Sequence, residues 1–249
     1  MNTHIKQLYN DLIKNLPQRE KHTEITGFCG LEGKSYSSNR ELMVIGRAVN
    51  GWHKGIKLSE CSEERFSEHF EVKKSSSQMA WLDKAWLRRG HDDKNQDKER
   101  GYNARRSAFW RVNQKVLTKL GITDAKDWYH HLYWTNLYKV APHSGGNPSN
   151  ALIRAQQAVC NDILKEEIRS QEPRRILMLT SKSWANLFIE NNVVASEHKP
   201  LLKYIDFVGY WKSGDESIPL VIAEHPQGRK EELLASNVCS ALNSLIANQ

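Results

Sequence analysis

The sequence predicts a three-layer α/β/α fold built on a central, mainly parallel four-stranded sheet. Four short apolar runs carry the first part of that reading: Leu42 to Gly46 (LMVIG), Leu132 to Leu137 (LYWTNL), Ile176 to Thr180 (ILMLT) and Leu220 to Ala223 (LVIA). They are continuous rather than alternating, the pattern of strands covered on both faces. Helical patterns between them carry the second part. Ser107 to Leu120 spaces Phe109, Val112, Val116, Leu117 and Leu120 along one face, and Asn150 to Ile168 does the same with Leu152, Ala155, Val159, Ile163 and Leu164. Alternating strands and helices imply right-handed crossovers and a doubly wound sheet.

The remaining elements follow in order. Residues 1 to 16 form an amphipathic helix with Ile5, Leu8, Leu12, Ile13 and Leu16 on one side. A helix runs from Ser181 through Phe188, and the last from about Lys230 to Ile246. Phe207 to Trp211, separated from Leu220 by the turn-rich SGDES, reads as an extra strand hairpinned onto the final one. With 249 residues the chain is long enough for one substantial core, so a single domain is expected, carrying a polar insertion at about 53–106. The insertion holds KKSSS at 73–77 and RRGHDDKNQDKERGYNARR at 88–106. Its mixed charges fit either a solvated excursion or a flexible phosphate-contacting segment, and Trp81 and Trp86 predict a helix folded back onto the domain.

An excess of 36 Lys and Arg over 29 Asp and Glu gives a formal charge of +7, which favours a polyanionic partner without naming one. Cys29, Cys61, Cys160 and Cys239 form no C-x-x-C pair, so they read as reduced thiols of a cytoplasmic protein. The first helix lacks the apolar centre of a signal peptide, and no segment reaches the ~18 apolar residues of a membrane span. No P-loop or G-x-G-x-x-G fingerprint marks a nucleotide site. His130-His131, His143 and Asp92-Asp93 lack metal-ligand spacing, so neither metal nor cofactor is expected.

In an open parallel sheet, ligands bind beyond the carboxyl ends of the strands. Those ends read GRAVNGW, TNLYKVAPHSGGNP, TSKSW and EHPQGRKEE, and three of the four concentrate Asn, His, Gly and Pro. The set resembles the uracil-DNA glycosylase superfamily. The corresponding pieces are Gly46 to Trp52, Asn136, and His225-Pro226-Gln227. TNLYKVAP followed by NP is similar to the T-N-x-x-K-x-x-P…N-x-P pattern of the thermostable bacterial and archaeal branch, and ILMLTSKSWANLF to its L-x-L-G-x-x-A segment, with Thr180 in place of the usual Gly. The scattered cysteines do not reproduce that branch's iron–sulfur spacing.

The resemblance implies that Gly46 opens the catalytic motif, that Asn136 reads the edge of an extruded base, and that His225 donates to the base carbonyl that gains charge as the glycosidic bond breaks. Asn50 is the first polar residue able to hold the attacking water, since Arg47 and Ala48 occupy the positions where the superfamily carries Asp, Asn or Glu; a turn role in VNGW is the competing reading. Trp52 serves either as a stacking platform or as a core residue. Lys139, His143 and Asn147 lie nearer the phosphates, and Gln227, Arg229 and Lys230 stand where the superfamily carries its wedge loop and a phosphate-binding helix start. From the residues themselves, Asn136 can equally cap a strand end, with Ser149 or Asn150 as N-cap of the next helix.

These expectations combine into a monomeric, monofunctional DNA glycosylase that leaves an abasic site. A defence enzyme acting on bulky hydroxymethylated or glucosylated cytosine in phage DNA, and a non-catalytic DNA-binding module on the same fold, are the alternatives.

Overall fold

The computed structural model describes residues 3–17, 24–50, 52, 55–60, 78–87, 103–123, 126–197 and 201–247. In chain order these form α1 (Thr3–Asn15), β1 (Glu24–Gly27), β2 (Leu31–Glu32), α2 (Tyr36–Asn39), β3 (Leu42–Gly46), β4 (Ile56–Lys57), α3 (Trp81–Leu87) and α4 (Ala108–Lys119). There follow β5 (Leu132–Asn136), β6 (Val140–Pro142), α5 (Asn150–Gln171), β7 (Ile176–Met178), α6 (Lys182–Ile189), β8 (Val193–Ala195), β9 (Ile205–Ser213), β10 (Glu216–Ala223) and α7 (Glu231–Ala247). The charged tracts at 73–77 and 88–102 and Cys61 lie outside the described residues.

The fold is mixed α/β. All four apolar runs are strands, and β5, β3, β7 and β10 lie side by side in that order as parallel neighbours. The sheet does not stop at four. Antiparallel β2 extends it beyond β5, and β9 and β8 extend it beyond β10, making a mixed sheet of seven. The β9–β10 pair is the hairpin expected around SGDES, whereas β2 has two residues and β8 is largely exposed, so neither leaves an apolar run in the sequence.

Strand alternation divides the core. Met43, Ile45, Ile176, Met178, Leu220 and Ile222 pack with α1, α5 and α6, while Leu42, Val44, Leu132, Leu177 and Val221 pack with α3, α4 and α7. A strand that meets a helix layer on each side must be apolar at every position, which explains LMVIG. Helix α5 starts where Ser149 accepts a hydrogen bond from Leu152 N at 3.2 Å. No helix among the described residues is long and apolar enough to cross a membrane.

Lys139 corrects one sequence expectation. It is 0% exposed, with Nζ 2.8 Å from Glu167 Oε2 of α5 and 2.6 Å from Thr135 Oγ1. Thr135 in turn donates to Glu167 at 2.8 Å. Its positive charge is consumed inside the protein and does not face a phosphate. Gln156 completes this junction: Oε1 accepts from Lys139 N and Val140 N, and Nε2 donates to Val140 O. Removing one member of a buried ion pair strands the other charge, at a cost of roughly 3–5 kcal/mol, whereas replacing both by apolar groups is far milder. Lys139→Met should therefore lose about that much stability in urea denaturation, and Lys139→Met combined with Glu167→Leu should recover most of it.

Candidate functional site

The carboxyl end of β5 is fixed against that of β3. Asn136 stands opposite Gly46 in the parallel register, and Leu137 N and Tyr138 N donate to Gly46 O and Arg47 O, so the two chains stay paired as they leave the sheet. Any side chain at Gly46 would overlap Asn136 Oδ1 and would also meet the Phe109 ring of α4. Glycine is thus required here for space rather than for backbone conformation. The Asn136 side chain fills that space, 2% exposed, and its Nδ2 has no hydrogen-bond partner. An unsatisfied buried amide donor costs roughly 1–3 kcal/mol and is rare in folded proteins.

A second, three-stranded sheet gathers the loops that follow. Strand β1 pairs antiparallel with β4 on one side and β6 on the other, which draws the GRAVNGW and APHSGGNP loops together. Thr26 Oγ1 donates to Trp52 O. The half-buried Trp52 ring meets Phe28, Trp81 and Trp134 edge to face, with centroids 5.6, 5.1 and 5.4 Å away. These contacts make Trp52 a wall of the aromatic cluster beside Asn136. Asn50 Oδ1 accepts from Gly146 N at 2.8 Å, clamping a turn in which Gly145 and Gly146 both have positive φ. Asn50 therefore has the turn role the sequence allowed, and one lone pair of its oxygen is occupied. His143 is half-buried against Gly55 with an unpartnered Nδ1, and Asn147 is exposed.

At the ends of β7 and β10 the geometry centres on Ser181. Its φ is +68°, unusual for a residue with a side chain. Ser181 N donates to Ala223 O, and its Oγ accepts from His225 N and from Arg47 Nη2, each at 3.2 Å. Arg47 Nε donates to Thr180 O at 2.7 Å, and the guanidinium lies 5.2 Å from the Trp184 ring centre. His225 Nδ1 accepts from Gln227 N at 3.3 Å, so the neutral ring carries its proton on Nε2. Burial, and then the charges of Arg47 and Arg229, pull its pKa down to about 4, leaving a neutral Nε2–H donor at physiological pH.

The segment after His225 is a tight turn closed by Arg229 N to Pro226 O, with Gly228 at positive φ. Arg229 folds back to pair with Glu224 and lies over Tyr204, so its charge is already balanced. Gln227 and Lys230 are exposed at the tip. The described structure thus gathers Gly46, Asn50, Trp52, Asn136 and His143 around the β3–β5 end, sets His225, Gln227 and Lys230 beyond β10, and withdraws Lys139. Three further residues escaped the sequence reading: Arg47, which looked only like a departure from the motif, Ser181, and Phe109, which was assigned to a helix face. Among the described residues no group of three His, Cys, Asp or Glu side chains is placed to hold a metal ion. Cys29, Cys160 and Cys239 are buried and form no disulfide among the described residues, and burial pushes the Cys160 thiol up to about 12. No protein-family model and no curated protein matches the chain.

Gly46→Ala should displace the Asn136 carboxamide while leaving the strands paired, so ligand binding at this edge should fall more than thermal stability does. For His225 the sign of the linkage is set by a folded pKa below the unfolded value of 6.5. Between about pH 6.5 and 4 the unfolded chain binds the proton that the folded one refuses. Stability from this group is complete above that window and lost on descending through it. His225→Gln should flatten the dependence there, as read by urea denaturation at successive pH values.

Proposed function

We propose that the protein is a monofunctional DNA glycosylase of the uracil-DNA glycosylase type, which extrudes a base and hydrolyses its N-glycosidic bond. The observation that carries this reading is the buried Asn136 amide at a sheet's carboxyl end, its carboxamide seated in the space that Gly46 leaves and its Nδ2 without a hydrogen-bond partner. The four parallel strands with helices on both faces support the same fold type. An extruded base supplies what Asn136 lacks, an acceptor on its edge, and Phe109, Trp134 and Trp52 supply apolar walls. His225 offers its Nε2–H to a base carbonyl as negative charge develops there. A water held by the remaining lone pair of Asn50 Oδ1 attacks the anomeric carbon. With Lys139 tied to Glu167, it supplies no amine nucleophile, so the product is an abasic site and an intact strand.

DNA is the partner in this reading, and the protein acts as a cytoplasmic monomer without a cofactor. Uracil and bulky modified cytosine are both candidate bases. One observation favours a second reading, a DNA-binding module without catalysis: Gly46 is followed by Arg47 rather than a carboxylate or amide, and Asn50 is engaged by Gly146.

The test incubates the purified protein in EDTA with duplexes containing uracil, and separately with phage DNA carrying hydroxymethylated or glucosylated cytosine, followed by alkali. Strand breaks that need alkali and fall at least ~100-fold in His225→Ala and in Asn136→Ala are expected, the size of losing one preorganised donor. Salt-sensitive DNA binding without abasic sites on any of these substrates would leave the binding module in place of the enzyme.

A further inference from the structure

Arg47 sits at the middle of the sheet edge, the first residue past β3, which lies between β5 and β7. Its protein partners are both neutral, Thr180 O and Ser181 Oγ. Among the described residues no carboxylate pairs with it, in contrast to Arg229, whose charge Glu224 balances. A half-buried guanidinium normally acquires an anionic neighbour, because its lost hydration is otherwise unrepaid. Here burial lowers its pKa with no carboxylate opposing the shift. Its orientation is nonetheless held firmly. Two hydrogen bonds and the Trp184 face fix the fork, and Ser181 adopts a positive φ that side-chain-bearing residues disfavour while bridging Arg47 to the His225 backbone.

Resting on the glycosylase reading, we propose that Arg47 is a catalytic residue that binds the departing base as an anion and so sets which bases leave. In the step it serves, the C1′–N bond breaks with both electrons passing to the base. Water forms the new C1′–O bond and releases its proton to solvent. The base departs with its charge spread over ring nitrogen and carbonyl oxygen, where Arg47 and His225 Nε2–H meet it. The guanidinium remains protonated throughout, so its contribution is charge rather than proton transfer. That contribution is largest for bases that are poor leaving groups.

The experiment compares single-turnover excision of 5-fluorouracil with uracil, and of 5-bromouracil with thymine, each pair being nearly matched in size but different in acidity. Where the wild type acts on cytosines, 5-fluorocytosine and cytosine replace them. Arg47→Met should slow the less acidic member of a pair by on the order of 100-fold and the more acidic member far less, widening the ratio. Arg47→Lys should fall between, and thermal melting establishes that both variants are folded. Equal slowing of both members, or a loss confined to DNA affinity with a shallower salt dependence, overturns the assignment and makes Arg47 a structural or phosphate contact. If the wild type excises none of these bases and leaves no abasic site in DNA carrying hydroxymethylated or glucosylated cytosine, the glycosylase reading itself falls and this one with it; excision of the modified cytosines alone at a rate unchanged in Arg47→Met overturns this assignment and leaves that reading standing.

Discussion

The register between β3 and β5 is the constraint on which the rest of the site depends. Because side chains alternate along a strand, a slip of one residue would turn Asn136 to the other face and put a side-chain-bearing residue opposite it. The pairing from Leu42 with Leu132 through Gly46 with Asn136 is unbroken, and it continues into the loops through Leu137 and Tyr138. Gly46 and Asn136 therefore form one unit: the first provides volume, the second fills it with an unsatisfied donor. Everything further out, including the clamped Gly145-Gly146 turn and the aromatic wall at Trp52, hangs on chain segments whose direction this pair sets.

The same edge shows how polar groups are sorted. Lys139 and Arg47 lie close to Asn136 in the chain or the sheet, yet their environments are opposite. Lys139 is completely enclosed and matched by Glu167 and Thr135, so it consolidates the α5 layer. Arg47 is half-buried and, among the described residues, hydrogen-bonded to neutral oxygens only. His225 responds to that difference: burial, then the charges of Arg47 and Arg229, keep its ring neutral, making it a donor through Nε2 without a second full charge beside the first. A neutral imidazole, an unpartnered amide N–H and a cation thus present hydrogen-bond donors and positive charge along this edge.

Much of the central fold was legible because its physics is local. Continuous apolar runs such as LMVIG have one economical use, and the spacing of Val112, Val116 and Leu120 fixes a helix face; Asn136, near the end of the second run, and His225, two residues past the fourth, drew notice through the motifs around them. What was illegible depends on partners distant in sequence. Lys139 was read toward solvent because Glu167, 28 positions later, gives no sign in the strand that it will meet it. Strands β2, β4, β6 and β8 have two or three residues each and owe their existence to the neighbour they pair with. Ser181 was invisible as a junction because a positive φ on serine is imposed by its surroundings, against its own preference.

Strand β1 bears on how the site comes into being. Its partner in β6 lies more than a hundred residues further along the chain, Thr26 aligning with Ala141. During synthesis β1 emerges long before the loop it will organise, carrying Ile25 and followed by Phe28, both later covered. Until Val140 to Pro142 arrive it is an open strand edge, the kind of surface that other chains can pair with. Closure of the GRAVNGW and APHSGGNP loops is thereby tied to a non-local event of high entropic cost, so the elements that shape the site lock only after the sheet beneath them has formed.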